Sequence, residues 1–310
     1  IWGNTQSWTA ERINWQVMGC VNLQYEENPQ FTGALTGYRC FGVPLKVAEE
    51  FYSKHGVPIS VDKDRQGSWN EMEIKRGDEQ NQFYLERGYE TVKLNFDREP
   101  RFYAFLGFDG GKWLGQLTDA EYNDLTSDKV KKVKCRVGQY AAKAGSNVGP
   151  VTGYFPKKTF PYKNRVNAAN GTTNISSTWF PYPIMRLADL YLLYAEALLN
   201  GATQGKLTAA EAVNLVRNRA NLASLSQVTL DDVKHERILE LSLEGHRFYD
   251  LLRWGELSSR FQELSHDPTF KKFVSASDYK GFVTGKHEWL PIPINEMNSN
   301  PYISSNNPGY

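Results

Sequence analysis

Asp62, Asp64, Gln66, Gly67, Asn70 and Glu73 occupy the first, third, fifth, sixth, ninth and twelfth places of a calcium-loop template, in which short oxygen side chains surround a hard cation and a glycine turns the chain. Gln66 is an unusual ligand at its place, and Gly56 with Pro58 ends the preceding helical stretch too early for a helix-loop-helix hand. Two readings follow: a calcium site at Asp62, Asp64, Gln66 and Glu73, or a solvated acidic loop. The same loop carries Trp69 between Gly67-Ser68 and Asn70-Glu71 with no apolar neighbour, and Trp8, Tyr38 and Tyr84 keep similar company. A flat ring beside amide and carboxylate groups suits a ligand with one apolar face and polar edges, which describes a pyranose. Trp69, Asn70, Tyr84, Trp8 and Tyr38 are therefore the ligand-binding candidates, against the plainer reading of rings folded down over satellite cores. Trp179, Trp254 and Trp289 stand in or beside apolar segments and read as packing residues, while Trp113 follows a turn and goes either way.

Arg237, Glu240, Glu244 and Arg247 recur at three- and four-residue spacings. They read either as acid, base and substrate clamp or as charges that neutralise one another along the helix and against neighbouring helices. Nothing nucleophilic accompanies them, which favours the structural reading. The chain has no GxSxG, GxxxxGK, HExxH or GxGxxG, and His235-Glu236 lacks a second histidine. The expectation is a binding protein without catalytic residues.

The elements that must position these residues are mostly helices. Pro44 at a first helical position, Leu45, Ala48 and Phe51 on one face, and Gly56 as a stop predict a helix over 43–55. Residues 60–88 turn polar and read as a surface loop. Phe102 to Phe108 reads as a strand, and Asp109-Gly110-Gly111 before Lys112-Trp113 as a hairpin turn. Residues 130–178 form a long connection with short strands at most. Leu187, Leu190, Tyr194 and Leu198 predict the inner face of a helix over 186–200, stopped by Gly201. Thr208 with Glu211 opens a second helix through a capping box, and Thr229 with Asp232 caps a third that continues to Gly255. Tyr191, Tyr194-Ala195 and Leu198 give the first pair a tetratricopeptide flavour, in which small residues let paired helices approach. The Pro- and Gly-containing tail from Gly285 reads as an ordered loop.

The 310 residues carry 36 basic and 35 acidic side chains, a net charge of +1, so no global field draws the surface to nucleic acid or anionic lipid. Aromatic residues make up 13% of the chain, the unusual entry in its composition, though most of the rings fall in the helical scaffold and tail. Three cysteines without a CxxC pair argue against a disulfide framework or zinc ribbon. No apolar run of ~18 residues occurs. The sequence opens Ile1-Trp2-Gly3-Asn4 with neither a Met nor a leader, so any signal segment is expected upstream.

The stretches Arg186-Leu-Ala-Asp-Leu-Tyr-Leu-Leu-Tyr-Ala-Glu-Ala197, Ala212-Val-Asn-Leu-Val-Arg-Asn-Arg-Ala220 and Glu236-Arg-Ile-Leu-Glu-Leu-Ser-Leu-Glu-Gly-His-Arg-Phe-Tyr-Asp-Leu-Leu-Arg-Trp254 resemble the SusD/RagB family. So do Asp97-Arg-Glu-Pro-Arg101, Leu290-Pro-Ile-Pro293 and Asn307-Pro-Gly-Tyr310. The resemblance runs over 43–310 and is poor over 1–42. It implies a mainly α fold with tetratricopeptide-type helix pairs, long irregular loops and a small β-hairpin, the chain being the C-terminal portion of one SusD-like domain whose N-terminal helices are missing. It implies a surface lipoprotein of the outer membrane in Bacteroidetes, anchored through an N-terminal cysteine absent from this chain. The implied activity is capture of an oligosaccharide or polysaccharide, or in some branches a peptide, above a SusC-type TonB-dependent transporter. A glycosidase is the remote alternative. No cofactor is implied, and calcium is the one candidate from the residues themselves. The family's ligand residues follow no motif, so none is carried over.

Overall fold

The computed structural model describes residues 2–4, 41–113, 130–139, 141–142, 152–158, 160, 165–169, 172–176, 182–260, 283 and 285–310. Trp8, Tyr38 and Trp179 lie outside the described residues. The chain divides into two units, 1–244 and 245–310.

In the first unit, strand β1 (Trp2–Asn4) pairs antiparallel with β10 (Tyr182–Met185). Helix α1 spans Leu45–Glu50, with Pro44 as its N-cap, and is shorter than the expected 43–55 because Phe51 is already extended. Its end is fixed by Arg98, whose buried guanidinium donates to Ala48 O at 2.7 Å, Phe51 O at 2.6 Å and Leu94 O at 2.9 Å. A cation there satisfies carbonyls that the helix cannot. The expected surface loop contains strand β2 (Ile74–Arg76), paired with β3 (Glu90–Val92).

Residues 102–105 are helical, not the start of a strand. Helix α2 runs Pro100–Phe105 with Pro100 in its first turn, and only Leu106–Phe108 is extended, as β4. Proline preorganises the helical start, and the turn places Phe102 and Tyr103 together in the core. The turn at Asp109-Gly110-Gly111 forms, with Gly110 at φ 79° and Gly111 N donating to Phe108 O at 2.9 Å. The strands it joins do not pair with each other: β4 pairs with β7 (Tyr154–Pro156), and β5 (Lys112–Trp113) with β6 (Lys131–Lys132). Trp113 instead lies over Gly107, where a Cβ would come within 2.5 Å of its ring. The small β-hairpin is at β8 (Arg165–Ala169) and β9 (Thr172–Ser176). Phe51, Leu94, Phe96, Phe102, Leu106 and Phe108 form the core here, with Phe51 and Phe102 edge to face at 5.8 Å.

The helical part is α3 (Leu187–Leu199), α4 (Ala209–Arg219) and α5 (Leu230–Glu240). Thr208–Glu211 and Thr229–Asp232 both close as capping boxes. The three helices meet through Ala188, Leu192, Ala195, Ala212, Val213, Val216 and Val233. Of the periodic set Leu187, Leu190, Tyr194 and Leu198, Tyr194 packs against this cluster, whereas Leu187 and Leu190 lie outside it. Small residues allow the close approach, and Leu187 and Leu190 are left exposed. The expected single helix from 229 to 255 is interrupted: α5 stops at Glu240, and Leu243 and Gly245 take φ of 67° and 84°. Lys158 Nζ accounts for the stop by donating to Glu240 O at 2.6 Å and Ser242 O at 3.2 Å, carbonyls that a continuing helix would need.

The second unit holds α6 (His246–Arg253) and α7 (Ile294–Ser299). Its tail is ordered by amide clamps. Asn306 accepts from Ile292 N at 2.8 Å and donates back to Ile292 O at 3.2 Å, and Asn307 donates to Leu290 O at 2.6 Å.

Candidate functional site

The densest chemistry in the chain is a buried ion network that joins α2 to the helical part. Glu236 accepts from Arg101 at 2.6 Å and from Arg217 at 3.2 Å; Arg101 also holds Glu99 at 2.7 Å and Glu240 at 3.3 Å. Glu240 accepts from Arg186 at 2.9 Å and from Arg219, and Glu244 from Arg186 at 2.6 Å and from Lys158. Arg237 pairs with Asp189 at 2.8 Å. Glu99, Glu236 and Glu240 are fully buried. Burial raises the Glu99 carboxyl against the pull of Arg101. Burial would also raise Glu244, but Arg186 and Lys158 hold it below the usual carboxylate range. The partners come from other elements rather than along one helix stripe. These charges build the scaffold.

The calcium-template residues are engaged with different partners. Asp62 meets His55 Nδ1 at 3.0 Å and caps Asp64 N at 2.9 Å, whereas Gln66 donates to Ser60 O at 2.7 Å. Asn70 caps Met72 N at 3.1 Å, and Glu73 pairs with Lys93 at 2.5 Å. Asp62 and Asp64 gather with His55, their ligand atoms within 4.8 Å, but Lys54 Nζ stands 3.9 Å from Asp64 and competes for it.

Trp69 is half-buried, with Arg65 and Lys93 each 5.1 Å from its ring centre, and its indole nitrogen is enclosed. Tyr84 stacks face to face on Tyr103 at 4.0 Å, with Phe83 edge-on at 4.8 Å. Both rings are satellites of local packing. Asn70 is exposed.

Phe83, edge-on to Tyr84, is itself exposed, and a second open aromatic surface lies in the second unit. A cavity of about 540 Å³ is lined by Phe248, Tyr249 and Leu252 of α6 and by Glu288, Trp289 and Asn307 of the tail. Phe248 and Tyr249 meet edge to face at 5.5 Å, and Tyr249 and Trp289 are 64% and 58% exposed. Trp289 was expected to pack. Glu288 spends one carboxylate oxygen on Gly285 N at 2.9 Å, and Asn307 spends its amide nitrogen on Leu290 O. The second carboxylate oxygen of Glu288 and the amide oxygen of Asn307 have no partner among the described residues. Neighbouring aromatic residues 248 and 249 lie ~100° apart on a helix and cannot both face one core, which is the sequence signal that marks them.

The fold class is a helical scaffold of tetratricopeptide-type pairs with short sheets and clamped loops. The chain matches the SusD family model over residues 3–310 and belongs to that family. It is 43% identical over 72 residues to a SusD-like protein of Bacteroides ovatus, a stretch covering 23% of this chain and 13% of that protein. It is 33% identical over 138 residues to SusD-like protein P25 of Formosa agariphila, covering 41% of this chain and 24% of that one. Among solved structures, BT4246 aligns with TM-score 0.72 and 26% identity over all of this chain and 50% of its own. A SusD-like protein of Bacteroides fragilis aligns with TM-score 0.64 and 20% identity, over 98% of this chain and 53% of its own. The chain thus spans about half the length of these solved structures.

Proposed function

We propose that this chain belongs to a cell-surface glycan-binding component of a polysaccharide-uptake complex, and that the cavity beside α6 receives the sugar. The observation that carries the reading is the placement of Phe248, Tyr249 and Trp289 as exposed rings around a concave surface edged by Glu288 and Asn307. Rings stack on the apolar face of a pyranose while the free carboxylate and amide oxygens accept from its hydroxyls. Membership of the SusD family supports capture without turnover, at the outer membrane, through a lipid anchor and beside a SusC-type TonB-dependent transporter. A near-neutral net charge suits a neutral ligand.

Calorimetry against a panel of neutral oligosaccharides tests this. Trp289→Ala should weaken binding about 3- to 10-fold, the worth of one aromatic contact. Trp69→Ala should leave affinity unchanged and lower the melting temperature, because that ring packs on Arg65 and Lys93. Binding of peptides with no response to any oligosaccharide would move the reading to a peptide-capturing relative. Loss of sugar binding in Trp69→Ala but not in Trp289→Ala would move the site.

A further inference from the structure

The cavity beside α6 carries an unbalanced charge. Among the described residues that line it, Glu288 is the one charged side chain, and it shares the cavity with the rings of Phe248, Tyr249 and Trp289. Gly285 N fixes one of its oxygens at 2.9 Å, and no cation pairs with the carboxylate among the described residues. Basic side chains close by in sequence are committed elsewhere. Lys286 lies over the Tyr310 ring at 4.6 Å, His287 Nδ1 accepts from Val283 N at 2.9 Å, and Arg253 holds Asp250 at 2.9 Å while lying over Trp254 at 4.9 Å. Trp289 is anchored through its backbone, its N–H donating to Lys286 O at 3.1 Å and its carbonyl accepting from the Tyr310 hydroxyl at 3.2 Å.

An aromatic face carries the negative end of the ring quadrupole, so exposed rings gathered around a carboxylate attract a cation. The polar edge points the same way. Glu288 and Asn307 bring oxygens to it, the Asn307 amide nitrogen being given to Leu290 O at 2.6 Å. A protonated amine offers donors and no acceptor, which suits such an edge, whereas a uronate or a sulfate would set oxygen against oxygen and charge against like charge. The whole-chain charge of +1 supplies no long-range field to offset this local one. We propose, resting on the reading of this cavity as a sugar site, that it selects glycans bearing free amino sugars, the pyranose stacking on Trp289 and its ammonium meeting Glu288. Neutral sugars enter through the stacking and hydrogen bonds already described and bind less tightly. Acidic sugars are repelled.

The test is calorimetry at about pH 6, below the ordinary range for amines and above that for carboxylates. The probes are matched oligosaccharides of glucose, glucosamine and glucuronate, and of galactose, galactosamine and galacturonate. Within a series the amine-bearing member should bind about 5- to 20-fold more tightly than the neutral one, the worth of a cation–π contact with a half-buried ion pair, and the uronate should bind least. Glu288→Gln should lower the ratio of amine to neutral affinity about threefold. In the parent chain, sodium chloride raised to about 0.5 M should shrink the same ratio, because Glu288 is half-buried and open to screening. An amine-bearing sugar bound no more tightly than its neutral counterpart, or a ratio indifferent to both Glu288→Gln and salt, overturns the proposal and leaves the sugar site standing. So does binding of other neutral oligosaccharides with no response to either amine-bearing one. Silence from every sugar overturns the proposal and the sugar site together. Tighter binding of a lysine-containing peptide than of either amine-bearing sugar also overturns it, because the cation would then come from a protein.

Discussion

Glu236 and Glu240 each hold guanidinium groups from more than one element, so each carboxylate is worth more to the fold than its own contacts suggest. Removing one partner of a buried pair leaves uncompensated charge, at a cost of about 3–5 kcal/mol. Glu236→Leu should therefore lower unfolding stability in urea by about that amount, leaving Arg101 and Arg217 facing an apolar side chain. A loss under about 1 kcal/mol would mean that water reaches the network. Lys157 is the opposite case. Its ammonium donates to Tyr103 O at 3.1 Å and Lys112 O at 3.0 Å, and burial lowers its pKa from 10.5 to about 8. Between those values the unfolded chain binds the proton and the folded chain does not, so this lysine adds stability as pH rises. The stability of the parent chain relative to Lys157→Met should grow from pH 8 to pH 10 in urea titrations, and a constant difference would refute the sign. Single residues were legible in sequence where composition sufficed: the structural reading of Arg237, Glu240 and Glu244 holds. The rings of Trp69 and Tyr84 are more covered than their polar neighbourhood in sequence suggests, because Arg65, Lys93 and Tyr103 lie against them.

At the level of elements, local signals decided what local physics governs. Both capping boxes, at Thr208 and Thr229, were readable because cap and N3 acid lie three residues apart on one turn. Thr208→Ala and Thr229→Ala should each cost about 1 kcal/mol in urea unfolding, additively since the caps belong to different helices. The end of α5 could not be read, since it depends on Lys158, more than eighty positions away in sequence. The inner face of α3 was legible only in part, at Tyr191, Tyr194 and Ala195, for a related reason. Periodicity selects the largest apolar residues, whereas the helix pair buries the small ones so that backbones can approach. The Asp109-Gly110 turn was visible, but pairing of its flanking strands was settled by β6 and β7 from a later stretch of chain.

Across the molecule, the scaffold was readable from the sequence and the aromatic cavity beside α6 was hidden in it. Family membership was legible because α3, α4 and α5 carry long continuous stretches of it, and the match extends from residue 3. The aromatic cavity was not, because Phe248 and Tyr249 belong to one stretch and Trp289 and Asn307 to another some forty residues on. One property of the assembled chain follows from where its charges sit. Glu99, Glu236, Glu240, Arg101, Arg217 and Arg237 are almost entirely closed to solvent, and mobile counter-ions cannot come between them. Screening over ~10 Å at 0.1 M ionic strength acts on exposed charges and hardly on enclosed ones. Sodium chloride up to several hundred millimolar should therefore leave the melting temperature nearly unchanged, which calorimetry can read directly. A scaffold held in this way keeps its shape in brackish and fresh surroundings alike.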